Sequence, residues 1–223
     1  MSDERPTQYI YKPLPSLVGA QESWPAFAYL STLTWRWTEL IVGRMVRVIY
    51  QGAVRLIEGH SYAHHVPDAI IHDLGACVPN NGKTNKLLPD DFAAVFFIQA
   101  VGESDCHYGR GLRFYLIDAN VSGHWQDYSQ LEEHAEWLGV PVTPIMSHGT
   151  PERAITTMVA RSMLSSVAIG PWATKTSIKG LILRPLAELS DVDGKRLIVQ
   201  ITAAEIETWS DERKAEALKK AAP

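Results

Sequence analysis

The side chains best suited to hold a metal cluster between residues 60 and 77. His60, His64, His65 and His72 lie close together, with Cys77 just behind. Imidazole and thiolate are zinc ligands, but a closed zinc site takes four that converge, and no C-x-x-C pair accompanies these. Cys106 and His107 set a thiol beside an imidazole. Thiol catalysis needs a base within hydrogen-bond reach and a group to orient it. Neighbours in extended chain point apart, and no orienting partner is identifiable. Gly109 and Gly111 lack the strand, third glycine and helix N-terminus of a dinucleotide fingerprint, and there is no Walker loop. Positive charge stands at Arg44, Arg47, Arg55, His60, Lys179 and Arg184, and a cleft that gathered them would bind the phosphates of RNA or a nucleotide. Strand parity works against a continuous groove. Residues two apart share a face, so Arg47 lies opposite Arg44 unless a bulge intervenes.

The elements that must position these groups belong to a folded chain of 223 residues and 24.8 kDa, 46% hydrophobic and 21% charged. A net charge of -4 and a pI of about 6.1 give no overall electrostatic footprint for nucleic acid, leaving room for a local basic face. Two cysteines cannot build a framework of bridges, so a reduced, cytoplasmic (intracellular) setting is expected. The start, M-S-D-E-R-P-T-Q, carries no apolar leader, and no apolar run approaches the length of a membrane span, so no membrane partner is expected.

Proline and glycine make residues 1–25 an irregular lead-in with short elements at most. Met45–Tyr50 and Ala53–Ile57 read as a hairpin turning at Gln51-Gly52. Pro79–Pro89 is a loop, Ala93–Val101 and Leu112–Ile117 are buried strands, and Gly102–Gly111 is a turn. Ser129 with Glu132 forms a capping box ahead of a helix that Gly139 stops. Thr150 and Pro151 open a second helix that runs to about Leu164. Ile178–Leu183 and Arg196–Ile201 are the last strands, and a helical tail follows Thr202 (residues 202–223). The expectation is one α+β domain over residues 1–223, around a curved, largely antiparallel sheet flanked by helices.

Over Thr38–Ile201 the chain resembles the RNA-ligase members of the covalent nucleotidyltransferase superfamily. T-E-L-I-V-G-R-M-V is similar to their opening segment, E-K-x-D-G-T-N, whose lysine takes AMP from ATP. Glu39 and Gly43 match. Leu40 stands at the nucleophilic lysine, Val42 at the aspartate, and Arg44 and Met45 at the Thr-Asn pair. Glu58-Gly59-His60-Ser61, ahead of Pro67, resembles G-G-R-T, with His60 at the arginine. F-F-I-Q-A-V-G resembles L-Y-G-E-x-x-G, with Gln99 at the carboxylate. Phe114, Ile117 and Asp118 resemble F-x-x-F-D. Lys179 to Arg184 resemble E-G-x-V-x-R with the carboxylate changed to lysine, and Val199 and Gln200 stand where paired lysines grip the α-phosphate.

The resemblance implies an α+β adenylation-domain (ATP-grasp-like nucleotidyltransferase) fold. It also implies a catalytically inactive member that keeps a binding role toward RNA or a nucleotide. Gln99 and His60 would hydrogen-bond, Lys179 and Arg184 would supply charge, and Phe114 is either a buried strand aromatic or a ring that stacks on a base. Asp118 is either a metal ligand or a turn cap. Two alternatives stay open. One is a protein-interaction scaffold, favoured by exposure of some of Trp24, Trp35, Trp37, Trp125, Trp172 and Trp209. The other is an active ligase with a displaced nucleophile at Lys179, Lys12 or Lys175, and ATP and Mg²⁺ enter as cofactors only in that case.

Overall fold

β-branched and aromatic runs form two antiparallel sheets, of five and four strands, among the described residues. The structure is a computed structural model that describes residues 11, 13–23, 27–52, 54–59, 65–79, 93–102, 108–161, 163–170, 173–190 and 196–219. The loop expected at 79–89 lies outside these residues from Asn80 onward, as do Lys12, Trp24, His60, His64, Cys106, His107 and Trp172. The single curved sheet expected from the sequence is thus realised as two. Each belongs to its own compact unit, one of Met1–Pro13, Gly43–Glu103 and Gly111–Val142, the other of Leu14–Val42, Ser104–Arg110 and Thr143–Pro223.

In the first unit, β2 (Arg44–Gln51), β3 (Val54–Gly59), β4 (Ala93–Val101), β5 (Arg113–Val121) and β6 (His124–Trp125) lie in the order β3-β2-β4-β5-β6. Gln51 pairs with Val54, so the hairpin turns one residue later than expected, with Gly52 at φ 52. One face of the sheet carries Val46, Val48, Tyr50, Phe96, Ile98 and Leu116 against Ile70 and Leu74 of α3 (Asp68–Cys77) and Leu131 and Leu138 of α4 (Tyr128–Leu138). The register slips between Phe97 and Ile98, leaving Ile117 unopposed on β5. Such a bulge resets parity, which is why Phe114 and Leu116 share the core with Ala119.

The α4 cap is Asp127, two residues before the expected Ser129. Its side chain accepts from Gln130 N at 3.0 Å, while Gln130 Oε1 accepts from Asp127 N at 2.9 Å. Gly139, at φ 68, stops the helix as expected. Arg55 Nη1 donates to the carbonyls of Gly75, Val78 and Pro79 at the end of α3, where a cation suits the exposed carbonyls.

His134 of α4 stands 3.1 Å from Gln126 Oε1 and edge-on to Phe96, ring centroids 5.3 Å apart. Burial holds its pKa below the ordinary 6.5, with the nearby Glu133 acting in the opposite sense. The unfolded chain therefore takes up this proton at higher pH than the folded one, so stability is intact above 6.5 and falls as pH drops through it. Urea unfolding at about pH 7.5 and 5.5 should show the loss, and His134→Gln should flatten part of the slope. An unchanged slope in the variant would assign the dependence to other groups.

The second unit contains α1 (Leu17–Ser23), α2 (Phe27–Leu30), β1 (Trp35–Glu39), β7 (Ile145–Gly149), α5 (Pro151–Val159), β8 (Gly180–Pro185), β9 (Val199–Thr202), α6 (Ala203–Glu207) and α7 (Asp211–Lys219). The strand order is β7-β1-β8-β9. Trp35, Trp37, Leu181, Leu183, Val199 and Ile201 meet Leu17, Ala154, Met158 and Ile206 from the helices. Thr150 caps α5 as expected, accepting from Arg153 N at 3.3 Å. The helix ends at Val159 rather than near Leu164, and Arg161 turns left-handed at φ 49. The tail is helical in two short pieces, with the Arg213 guanidinium 4.1 Å from the centre of a Trp209 ring. No helix among the described residues is long and apolar enough to cross a membrane.

Candidate functional site

Alternation along β1 and β8 divides the second unit's sheet into a core face and a polar face. Trp35, Trp37, Leu181 and Leu183 point to the helices. Arg36 and Thr38 therefore point the other way, opposite Arg184 and Ile182 of β8. Gln200 of β9 joins them, opposite Ile182. Leu40 N donates to Gly180 O at 2.9 Å and carries the ladder past the strand end. A Cβ at Gly180 would meet Leu40 Cδ2 at 2.9 Å, so the leucine lies across the glycine on this polar face. Leu40, which the sequence resemblance sets at the nucleophile position, thus shares a face with Arg36, Thr38 and Arg184.

Glu39 points inward and is fully buried. Its carboxylate accepts from Ser165 Oγ at 2.6 Å, and from Ser166 N and Ser166 Oγ, both at 2.9 Å. These serines lie some 126 residues away along the chain. Sequence reading found in Glu39 a family match and nothing in the spacing that pointed to its clasp.

Lys179 and Arg184 are not brought to one face. Lys179 is exposed and borders a cavity of about 160 Å³ walled by α5 and α6, beside the Arg161–Glu207 ion pair at 3.0 Å. Arg184 is 7% exposed and faces away from those helices. Of the residues at the last signature, Val199 is core and Gln200 lies on the polar face.

The first unit also has a polar face, opposite its core. Gln99 of β4 lies between Met45 and Tyr115. Farther along, Phe97 lies between Arg47 and Asp118, and Val95 is opposite Asn120. Gln99 is 6% exposed, and no described residue hydrogen-bonds its amide. Asn120 Oδ1 is likewise buried without a partner among the described residues. Phe114 packs in the core on the opposite side from Gln99. Tyr115 is the aromatic that shares Gln99's face. The sequence placed Phe114 at the stacking position, and the β4–β5 register that exchanges the two rings is a tertiary property.

Two further arginines of this unit, among the described residues, have structural partners. Arg47, 1% exposed, donates to Gly59 O and pairs with Glu58 at 2.8 Å. Arg44 is exposed and donates to His65 O at 3.2 Å. Asp118 lies beside the β5 bulge rather than at a strand end, fully buried, with Oδ1 accepting from Ala119 N at 3.0 Å. His60 lies outside the described residues.

Among the described residues, no three His, Cys, Asp or Glu side chains gather where a metal ion would sit. Trp35 and Trp37 are core residues rather than exposed anchors, and Trp125 stacks on Phe97 with centroids 5.7 Å apart.

No family model matches the chain, and no curated protein matches it. Solved structures do. A lysine-to-methionine mutant of Naegleria gruberi RNA ligase with AMP and Mn superimposes with a TM-score of 0.61 at 15% identity, covering 92% of this chain and 60% of that one. The same ligase with PPi gives 0.62 at 15%, covering 91% and 58%. The chain has the fold of an RNA ligase. A further mutant of that ligase with AMP and Mn gives 0.60 at 16% identity. The chain spans about three fifths of the length of these ligase structures. At this identity the likeness concerns the α+β nucleotidyltransferase fold, with antiparallel sheets flanked by helices.

Proposed function

We propose that this chain is a catalytically inactive RNA-ligase-like protein that binds RNA or a nucleotide. The observation that carries the reading is Leu40, whose side chain lies across Gly180 on the polar face. Covalent nucleotidyl transfer needs an amine whose lone pair attacks the α-phosphate while pyrophosphate leaves. A leucine has no lone pair to offer. Two of the matching ligase structures hold AMP with Mn and PPi, respectively, which supports a nucleotide or RNA as the ligand class here. Gln99 and Asn120, buried amides with hydrogen-bonding capacity to spare, supply neutral contacts to hydroxyls or base edges. Tyr115 takes the stacking role, Arg184 provides charge on the polar face of its own sheet, Lys179 acts at the periphery, and His60, outside the described residues, keeps the hydrogen-bonding role that the resemblance implies.

Purified protein is expected to bind a labelled single-stranded RNA or AMP equally well in EDTA and in Mg²⁺, and to take no covalent label from ATP. Gln99→Ala should weaken binding about tenfold, the scale of one lost buried hydrogen bond. Binding that vanishes with the chelator, or that Gln99→Ala leaves untouched, would contradict this assignment.

A further inference from the structure

We propose that the cavity beside Lys179 binds a small apolar monocarboxylate, a molecule of the size of benzoate. The cavity holds about 160 Å³ and lies wholly within the second unit. An apolar cavity of about 150 Å³ accommodates one benzene molecule, so this one takes a single ring or a short branched chain. Its floor is Met158 of α5, Ile178 just ahead of β8 and Ile206 of α6, each 4% to 5% exposed, with Met163 alongside. The two methionines can adapt to such a guest, because an unbranched chain and a polarizable sulfur repack readily.

Charge at the mouth selects the sign of the guest. Among the described residues, the charged side chains that line the cavity are Arg161, Lys179 and Glu207. Arg161 and Glu207 pair with each other at 3.0 Å, so their charges cancel. Lys179 is exposed, and no described residue hydrogen-bonds or ion-pairs with its ammonium. One positive charge is thus left over an apolar floor. A carboxylate on an apolar body complements both features, with the few polar groups of the rim fixing its orientation.

The backbone around the mouth is strained and tied down. α5 stops at Val159, and Arg161 turns left-handed at φ 49, a conformation unfavourable for a residue with a Cβ. Strain of this kind gathers at ligand sites, and here it falls on the residue that pairs with Glu207. Beyond the turn, Ile178 N donates to Met163 O at 3.4 Å and joins two walls of the cavity. Lys179 O accepts from Ala203 N at 2.8 Å, which fixes the lysine against the start of α6. The cavity lies on the helix side of the sheet, whereas Leu40 and Arg184 lie on the polar face. The inference therefore does not depend on the reading of this chain as an RNA or nucleotide binder.

The test is calorimetric titration with benzoate and isocaproate, with the neutral isostere benzamide, and with acetate and inorganic phosphate. The proteins compared are wild type, Lys179→Met, Lys179→Arg and Ala203→Leu. Ligands of about nine non-hydrogen atoms should bind wild type with dissociation constants on the order of 0.1 to 1 mM. Acetate and phosphate, which lack an apolar body, should bind at least about tenfold more weakly. Lys179→Met should weaken benzoate about tenfold and leave the weaker binding of benzamide unchanged, while Lys179→Arg keeps most of the affinity. Ala203→Leu retains the lysine but fills the cavity, and should abolish binding of the ring. Thermal melting checks that the variants fold, and the exposed position of Lys179 keeps the test decisive if Ala203→Leu does not. Wild-type protein that binds neither benzoate nor isocaproate would overturn the proposal, as would benzoate binding equal across wild type and variants. Phosphate that binds as tightly as benzoate and displaces it would overturn it in favour of a bare anion site.

Discussion

Replacing Glu39 with alanine is expected to lower the unfolding free energy by about 3 to 4 kcal/mol, one of the two largest effects anticipated for a single substitution here. The carboxylate is fully buried and accepts two hydroxyls and one backbone N–H from Ser165 and Ser166. Truncation leaves those donors without an acceptor, at about 1 to 3 kcal/mol for each one that stays dry, and opens a small cavity. For a chain of this size, that loss corresponds to a fall of about 6 to 16 °C in melting temperature. Glu39→Gln keeps the volume and one acceptor oxygen and should lose about half as much, because its bonds are no longer charge-assisted. The clasp ties the end of β1 to a distant loop and so fixes the backbone immediately before Leu40. Urea unfolding of the two variants reads the effect, and a loss below about 1 kcal/mol in the alanine variant would mean that the clasp contributes little.

The second large effect is expected at Gly43. A Cβ there would lie 2.2 Å from Ala100 O and 2.9 Å from Val101 Cγ1. The first contact is with backbone, which cannot swing aside without opening the Arg44–Ala100 pairing at the end of β2. Gly43→Ala should therefore destabilise by about 3 kcal/mol or more, or prevent recovery of folded protein. The reason is close approach of two strands rather than φ, since Gly43 is not among the positive-φ glycines. Gly19→Ala is the control. It lies in α1, its nearest Cβ contact is 4.0 Å away, and the change should stabilise by about 0.5 to 1 kcal/mol. Equal melting temperatures for the two variants would remove the steric explanation for the glycine in the opening segment.

Much of the local structure could be read from the sequence because it is locally encoded. The apolar run, interrupted only by Gln99, set β4 at Ala93–Val101, and the Thr150-Pro151 pair set the start of α5. Where two local signals competed, the sequence did not rank them. Both Asp127/Gln130 and Ser129/Glu132 have capping-box spacing, and the structure uses the first. Strand patterns do not name their partners, so one sheet and two sheets read alike, and the more so because both units are assembled from interleaved segments.

The candidate site was partly readable in the same way. Parity alone separates Arg44 from Arg47, and the structure has one exposed and the other buried in an ion pair. The same parity was available for Lys179 and Arg184, five residues apart, the first just ahead of β8 and the second within it. By contrast, the exchange of Phe114 for Tyr115 beside Gln99 depends on the β4–β5 register and its bulge. The cavity beside Lys179 requires two helices and a strand end to be brought together from separate parts of the chain. The serine clasp on Glu39 has the same origin.

The central claim is that an RNA-ligase fold here carries no nucleophile at its opening segment, with Leu40 lying across Gly180 on the polar face. Incubation with α-labelled ATP and GTP in Mg²⁺ or Mn²⁺, followed by a denaturing gel beside an active ligase, tests it most directly. The protein should carry no covalent label while the control does. A label stable to denaturation, and lost in Lys179→Ala or Lys12→Ala, would contradict the account and identify a displaced nucleophile.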